Sequence, residues 1–596
     1  MTPMPNLAAL LPLLALWPLL LLLLLLWPRS RALAAAMAPW AAVPALLLAL
    51  YVTLGTALMS HPLPLNTLSA GAAHPFVLEW PHLLLGLRFG LDATGSIFLL
   101  LAGLLWTLAG WAAHAYHRHD ARRHAMWGFW LAALSGNLWL IVAQDAIGFY
   151  AGFALMSFAA YGLVVHARSA AAWRAGRVYL SMAVLGEALL LSGLLLRVAG
   201  NESIALPLAF NDGPYASLAT LLIFLGFGVK AGVLGLHLWL PLAHPVAPTP
   251  ASAVLSGVMI KAGLLGWMRF LPLGAEPWPW LGATALGLGL LAALIAVLIG
   301  LTQRQPKVLL AYSSISQMGL LTLGIGAALL HPGAWPALAL ALTLYALHHG
   351  LAKGTLFLGV AVLAHARGTA RRWALAAQAL PALALAGLPL SSGFWAKDGL
   401  KQALSSLPAP WPEALAWLLP VAAFGTTLLM ARLLWLQAQP ETMPEHPTPS
   451  LRTPWLALLL ASTALALPGL LAWLGLLGPL PSWLPTAAPT LSGLALALLP
   501  LLLGAALAAA ALHHPWRAVP QISPGDLLGL IEPPLQRFWF ALLALSARLD
   551  RYRGPSPTPA HRWPRTLWLE ERQLRRLPVA GIALLALLLL SALLTS

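Results

Sequence analysis

The amino-acid sequence predicts an all-α polytopic membrane protein, and three observations carry that prediction. Of the 596 residues, 60% are hydrophobic and only 8% are charged. The mean hydropathy is +0.82, a balance that water-soluble globular chains of this length do not show. The apolar runs are long and the polar breaks between them short, so the chain accommodates roughly fifteen or sixteen helical spans of about 20 residues each and no sizeable soluble domain.

The opening run, Pro5 to Trp27, is too long and leucine-rich for the apolar region of a signal peptide, and no small-residue cleavage motif follows it before Arg29 and Arg31. It reads as the first span. Basic residues then gather at Arg118/Arg122/Arg123, Arg168/Arg174/Arg177, Arg304/Lys307 and Arg367/Arg371/Arg372, with two apolar spans expected between neighbouring clusters. The loops between carry Glu79 and Asp92, Glu202 and Asp212, and Glu276. Cytoplasmic loops are enriched in Lys and Arg, so the basic clusters are expected inside and the N-terminus outside. The same scatter explains the net charge of +16 without invoking nucleic acid. Zero cysteines exclude iron–sulfur clusters, thiolate metal sites and disulfides, so redox chemistry belongs to another subunit.

Beyond residue 510 the pattern changes. Pro533-Pro534, an amphipathic segment Leu535–Leu549 and a basic, Trp-containing run to Arg576 precede a last span, Val579–Leu594. This predicts either a helix on the membrane surface followed by an anchor, or an arm that docks a neighbouring subunit.

An ionisable group inside a span is costly, so each one is a functional candidate. Lys230 lies in the apolar run Leu221–Leu240 among Gly226, Gly228, Gly232 and Gly235. That glycine density predicts a broken helix whose backbone can reach the charge; a structural ion pair is the plainer alternative. His237 follows by seven residues, and a regular helix would carry it two turns along nearly the same face, about 10 Å away. It reads as either a relay or a hydrogen-bonded core histidine. Glu187 sits at the centre of the span Tyr179–Leu196, and Lys261 follows a proline-rich turn, Pro241–Pro250. Tyr345, His349 and Lys353 recur every four residues and form one polar stripe on an apolar helix, while His348 points elsewhere. Such a stripe suits a proton wire or plain inter-helix hydrogen bonding. Lys397 and Asp398 follow the break Pro389-Leu390-Ser391-Ser392-Gly393.

The segment Phe227-Gly228-Val229-Lys230-Ala231-Gly232, with His237-Leu238-Trp239-Leu240-Pro241, Ala243-His244-Pro245 and Ala247-Pro248-Thr249-Pro250, resembles the central signature of the antiporter-like membrane subunits of respiratory complex I, membrane-bound hydrogenases and Mrp cation/proton antiporters. Ser256-Gly257-Val258-Met259-Ile260-Lys261 is most similar to the large subunit of formate hydrogenlyase-type hydrogenases. Ala311-Tyr312-Ser313-Ser314, His349-Gly350-Leu351-Ala352-Lys353 and Gly393-Phe394-Trp395-Ala396-Lys397-Asp398 extend the resemblance across residues 90–400.

The resemblance implies two inverted five-helix repeats, each with one broken helix, and two half-channels joined by a row of buried lysines and histidines. Lys230 and Lys397 would sit at the two breaks, with Gly228, Gly232, Pro241, Pro389 and Gly393 as break residues; Lys261, His349 and Lys353 would link them, and His237 and Asp398 would assist. It further implies N-terminal spans and an external loop over 1–93, the proton-translocating core over 94–400, C-terminal spans over 401–512 and an arm with an anchor helix over 513–596. No cofactor, metal or catalytic site is expected on this chain. Other membrane subunits in a bacterial inner membrane are the expected partners and protons the expected cargo, with sodium as the alternative.

One departure stands out. Where the family carries a Trp-Glu pair whose glutamate partners the first lysine, this chain has Phe153-Ala154. Glu187 is the expected relocated counter-ion. Two rival readings share the fold: the membrane half of a proton-coupled inorganic-carbon uptake system, and a non-conducting scaffold.

Overall fold

The structure, a computed structural model, describes residues 7–58, 77–83, 86–199, 204–206, 215–439, 449–473, 490–512, 520–525 and 528. Glu202, Asp212, Pro533-Pro534, Leu535–Leu549, Arg576 and Val579–Leu594 lie outside the described residues. One compact unit comprises residues 1–78 and 88–525; a second comprises 79–87 and 526–596.

The chain opens with α1 (Leu7–Leu26), α2 (Arg31–Met37) and α3 (Val43–Leu58) and passes through two short strands, β1 (Val77–Trp80) and β2 (Leu87–Gly90). Three long helices follow: α4 (Ala93–Tyr116), α5 (Arg123–Val142) and α6 (Ala146–Val164). Asp92 and Asp145 precede α4 and α6 and accept the amides of Gly95 and Gly148, satisfying donors that a helix start leaves free. Next come α7 (Ala170–Ala199), then α8 (Ala216–Ala231) and α9 (Trp239–Val246), separated by a short break. α10 (Thr249–Val254) runs through a π-turn, Leu255–Met259, into α11 (Lys261–Phe270). α12 (Pro279–Leu301), α13 (Pro306–Leu330) and α14 (Trp335–His365) lead to a second interrupted pair, α15 (Gly368–Ala386) and α16 (Ser392–Leu404). α17 (Trp411–Ala438), α18 (Arg452–Ala464), α19 (Leu467–Trp473) and α20 (Leu491–Leu512) complete the described helices.

Among the described residues, 13 helical segments are long and apolar enough to cross a membrane. From α5 onward the elements group in fives. α5, α6, α7, α8–α9 and α10–α11 form one set, and α12, α13, α14, α15–α16 and α17 the next, with the fourth member interrupted in each. Five crossings are odd, so the second set starts on the opposite face from the first and is inverted.

This order corrects one expectation. Between Arg177 and Arg304 lie four crossings, α7, α8–α9, α10–α11 and α12, rather than two. Four is still even, so the basic clusters keep to one face. Lys307 Nζ donates to the Ala247 carbonyl at 2.7 Å, which brings the α9–α10 junction beside the start of α13.

Lipid offers no hydrophobic drive for helices to associate, so close backbone contact carries the packing. On α12, a Cβ at Gly289 would come within 2.5 Å of the Gly319 carbonyl of α13, and one at Gly282 within 2.9 Å of Gly326 O. These small residues, seven apart on both helices, let α12 and α13 meet along their lengths. α13 is buried throughout its span. At the other end of the core, the turn after α4 is tied to the end of α6: Asp120 Oδ2 lies 2.8 Å from His117 Nδ1 and 2.6 Å from His166 Nε2. Burial pushes the Asp120 carboxyl up, but its bonds to His166, the Arg122 amide and His117 outweigh that and hold it well below the usual carboxylate range.

Candidate functional site

The first interruption is built by two glycines. Gly232 ends α8 at φ +78° and Gly235 follows at φ +90°, left-handed conformations that cost a side-chain-bearing residue. The Gly228 carbonyl accepts the amides of Gly232 and Val233 at 2.9 and 3.0 Å, and the Val229 carbonyl accepts Trp239 Nε1 at 2.9 Å. Backbone freed by the break is thus satisfied within the protein, as the membrane interior requires.

Lys230 lies in the last turn of α8, two residues before Gly232, and is buried. Its Nζ donates to Tyr179 Oη of α7 at 3.1 Å, and that hydroxyl donates to the Ser157 carbonyl of α6 at 2.7 Å. The ammonium also lies 5.5 Å from the Tyr179 ring centroid and 5.7 Å from that of Trp239, within cation–π range. A cavity of about 20 Å³, room for one water, is lined by Phe153, Ser157, Tyr179, Glu187, Lys230 and Trp239 among others. Glu187 is buried there and interacts electrostatically with Lys230, without a direct ion pair. Its two oxygens and Ser157 Oγ have no hydrogen-bond partner of good geometry. Ala154 is half-buried and is not among the lining residues, whereas Phe153 and Ser157 on the same helix are.

Two expectations fail at this break. No regular helix joins Lys230 to His237, so the two-turn spacing does not hold; His237 is buried in the turn before α9, its Nδ1 accepting the Gly235 amide at 3.1 Å. The stretch Pro241–Pro250 is not a turn but α9, a kink and the start of α10, with Pro241 in the first turn of α9, where its missing amide costs nothing.

In the next span, Lys261 is fully buried and donates to the Ser256 carbonyl at 2.6 Å. Along α14 the predicted stripe faces α13: Tyr345 Oη donates to Gln317 Oε1 at 2.7 Å, and Lys353 Nζ donates to the Leu310 carbonyl at 2.9 Å and to Ser313 Oγ. Between them His349 is fully buried with both ring nitrogens unpartnered, in electrostatic reach of Lys261, Lys353, His348 and Lys397.

His348, set aside by its different face, reaches the second interruption, where Nδ1 lies 2.8 Å from Ser392 Oγ. There Lys397 Nζ donates to the Leu385 and Ala386 carbonyls, both at 2.9 Å, placing a cation on the last carbonyls of α15. Asp398 turns away and accepts from Gln402 at 2.7 Å. The left-handed residues are Gly387 (φ +100°) and Leu390 (φ +64°). Gly228 and Gly393, expected at the breaks, lie inside α8 and α16, and Pro389 sits in the loop between α15 and α16. Gly393 is needed for space: a Cβ there would collide with the Ala384 carbonyl.

His244 was missed as a site residue. It is fully buried, stacked on Phe357 at 4.7 Å between centroids, with both nitrogens unpartnered, and it interacts electrostatically with Lys307, Lys353 and Lys261. The available signal was an imidazole beside Pro245 within an apolar stretch.

Residues 143–411 match the family model described as NADH:quinone oxidoreductase/Mrp antiporter, transmembrane. The chain is 31% identical over 383 residues to Hydrogenase-4 component B of Escherichia coli (strain K12), covering 60% of this chain and 56% of that protein. It is 29% identical over 411 residues to NADH-quinone oxidoreductase subunit N of Cereibacter sphaeroides, covering 66% of this chain and 88% of that protein. A chain in the structure of the Mrp complex from Dietzia sp. DQ12-45-1b shares the fold, with a TM-score of 0.69 and 22% identity over 97% of this chain and 63% of that one. The match thus spans little more than half the length of the hydrogenase component. Residues 143–411 thus carry the transmembrane domain of the NADH:quinone oxidoreductase/Mrp antiporter family, and the chain is similar to the antiporter-like membrane subunits of such complexes.

Proposed function

We propose that the chain moves protons through a multi-subunit membrane complex, along the row Lys230–Lys261–His349/Lys353–His348–Lys397, with Glu187 as counter-ion of the first lysine. The observation that carries this reading is His349: a fully buried imidazole with two unpartnered nitrogens, in electrostatic reach of lysines on three different elements, α11, α14 and α16. Two unit charges about 10 Å apart at an effective dielectric of 20 interact by roughly 1.7 kcal/mol, a little over one pKa unit. Arrival of a proton at one group therefore favours its departure from the next. His244 extends the row toward Lys307 and the basic-loop face, which is the cytoplasmic face in this reading, with the N-terminus outside in a bacterial inner membrane. Redox chemistry is left to partner subunits.

Reconstitution in proteoliposomes with an internal pH indicator tests this. His349→Ala should abolish proton movement while the protein remains inserted at normal levels; undiminished flux in a correctly inserted variant would falsify the proposal.

A further inference from the structure

The tie between the α4–α5 turn and the end of α6 has the donor set of a metal site. His117 Nδ1 and Asp120 Oδ2 come from one turn and His166 Nε2 from another, and their ligand atoms all lie within 4.8 Å of one another. The two imidazoles are nearly perpendicular, at 86° with centroids 5.0 Å apart. The remaining carboxylate oxygen, Asp120 Oδ1, is held by the Arg122 amide at 2.8 Å, the kind of outer contact that fixes a ligand's orientation.

We infer that His117, Asp120 and His166 form a binding site for a divalent transition-metal ion of the Zn²⁺ class, closing a clip between α4 and α6. Two imidazoles and one carboxylate suit Zn²⁺, Co²⁺ or Ni²⁺ and not Mg²⁺ or Ca²⁺, which take oxygen shells. Around a tetrahedral ion with bonds of 2.0–2.1 Å the ligand atoms stand about 3.3 Å apart. The present 2.8 and 2.6 Å separations must therefore open by roughly half an ångström, a side-chain adjustment in two turns. Each ring must bind through the nitrogen that now faces Asp120, so its proton moves to the other ring nitrogen or is released. The fourth position is left to water. The clip would fix the end of α6, which carries Phe153 and Ser157 of the Lys230 cavity, against the turn after α4, so the ion would brace one wall of that cavity without entering it.

The test uses the purified full chain in detergent, with Co²⁺ as probe. One equivalent should give visible absorption of tetrahedral intensity that Zn²⁺ abolishes, and His166→Gln and Asp120→Asn should each weaken binding at least tenfold while elution stays unchanged and the metal-free protein still melts in a single cooperative transition. X-ray absorption of the Zn²⁺ form of the unaltered protein should read two imidazoles with oxygen donors, a measurement that needs no variant. No absorption band, an oxygen-only shell, or equal binding in the unaltered protein and both variants would overturn the site and leave a hydrogen-bonded clip.

Discussion

Lys261 Nζ donates a 2.6 Å hydrogen bond to the carbonyl of Ser256, five residues earlier on its own span. The π-turn explains why that carbonyl is free: the Ile260 amide bonds Leu255 O at 3.2 Å instead of Ser256 O, its regular α-helical partner. A fully buried lysine is thus held by an acceptor that the backbone itself releases.

Lys261→Met should cost about 1–3 kcal/mol, the penalty of stranding a buried carbonyl, and should also stop proton flux. Thermal melting of the purified protein and proteoliposome flux check the two effects separately. Unchanged melting would mean that the carbonyl finds another donor.

Lys230→Ala should leave insertion at normal levels, because the apolar spans drive insertion and close backbone contact carries the packing, while abolishing coupled proton movement. Membrane abundance and pH-gradient formation are measured together. Full activity would remove Lys230 from the path, and loss of abundance would point to a structural role for its bond to Tyr179.

Glu187→Gln should impair flux, since a carboxylate near a buried lysine supports its charged form. Adding Ala154→Glu should restore part of it: position 154 lies on α6 between Tyr150, which interacts with Glu187, and Ser157, which lines the same cavity. A silent Glu187→Gln, or no rescue in a correctly inserted double variant, ends the relocated counter-ion reading.

Gly393→Ala should destabilise the second break by about 1–3 kcal/mol, the range for overpacking, because the new methyl meets the Ala384 carbonyl. Gly287→Ala is the control: nothing lies within 4 Å of its Cβ position, so it should be neutral or slightly stabilising. Melting temperatures of the two variants decide.

The absence of cysteine makes topology directly measurable. In intact cells Arg372→Cys should resist an impermeant maleimide and Asn211→Cys should react. The reverse pattern would overturn the placement of the basic loops inside.

By itself the sequence determined the membrane class, the buried lysines and the presence of two interruptions. The reason is energetic: a charge in an apolar window, or clustered Gly and Pro in a span, is costly enough to be visible one residue at a time. Lys230, Lys261, Lys353 and Lys397 were legible on that ground, as was the stripe through Tyr345 and His349 from its period alone. Only the tertiary structure decided what each group faces. Sequence spacing assumes a continuous helix, so His237 was placed by a spacing that the turn at Gly232 and Gly235 removes. Gly228 and Gly393 read as helix-break residues because composition does not distinguish a left-handed glycine from one inside a helix, such as Gly393, which makes room for the Ala384 carbonyl. His244 meets the Phe357 ring of α14 and the charge of Lys307 on α13, and His348 meets Ser392 on α16, all distant in the chain. Packing between elements sets those contacts, and no local period encodes them.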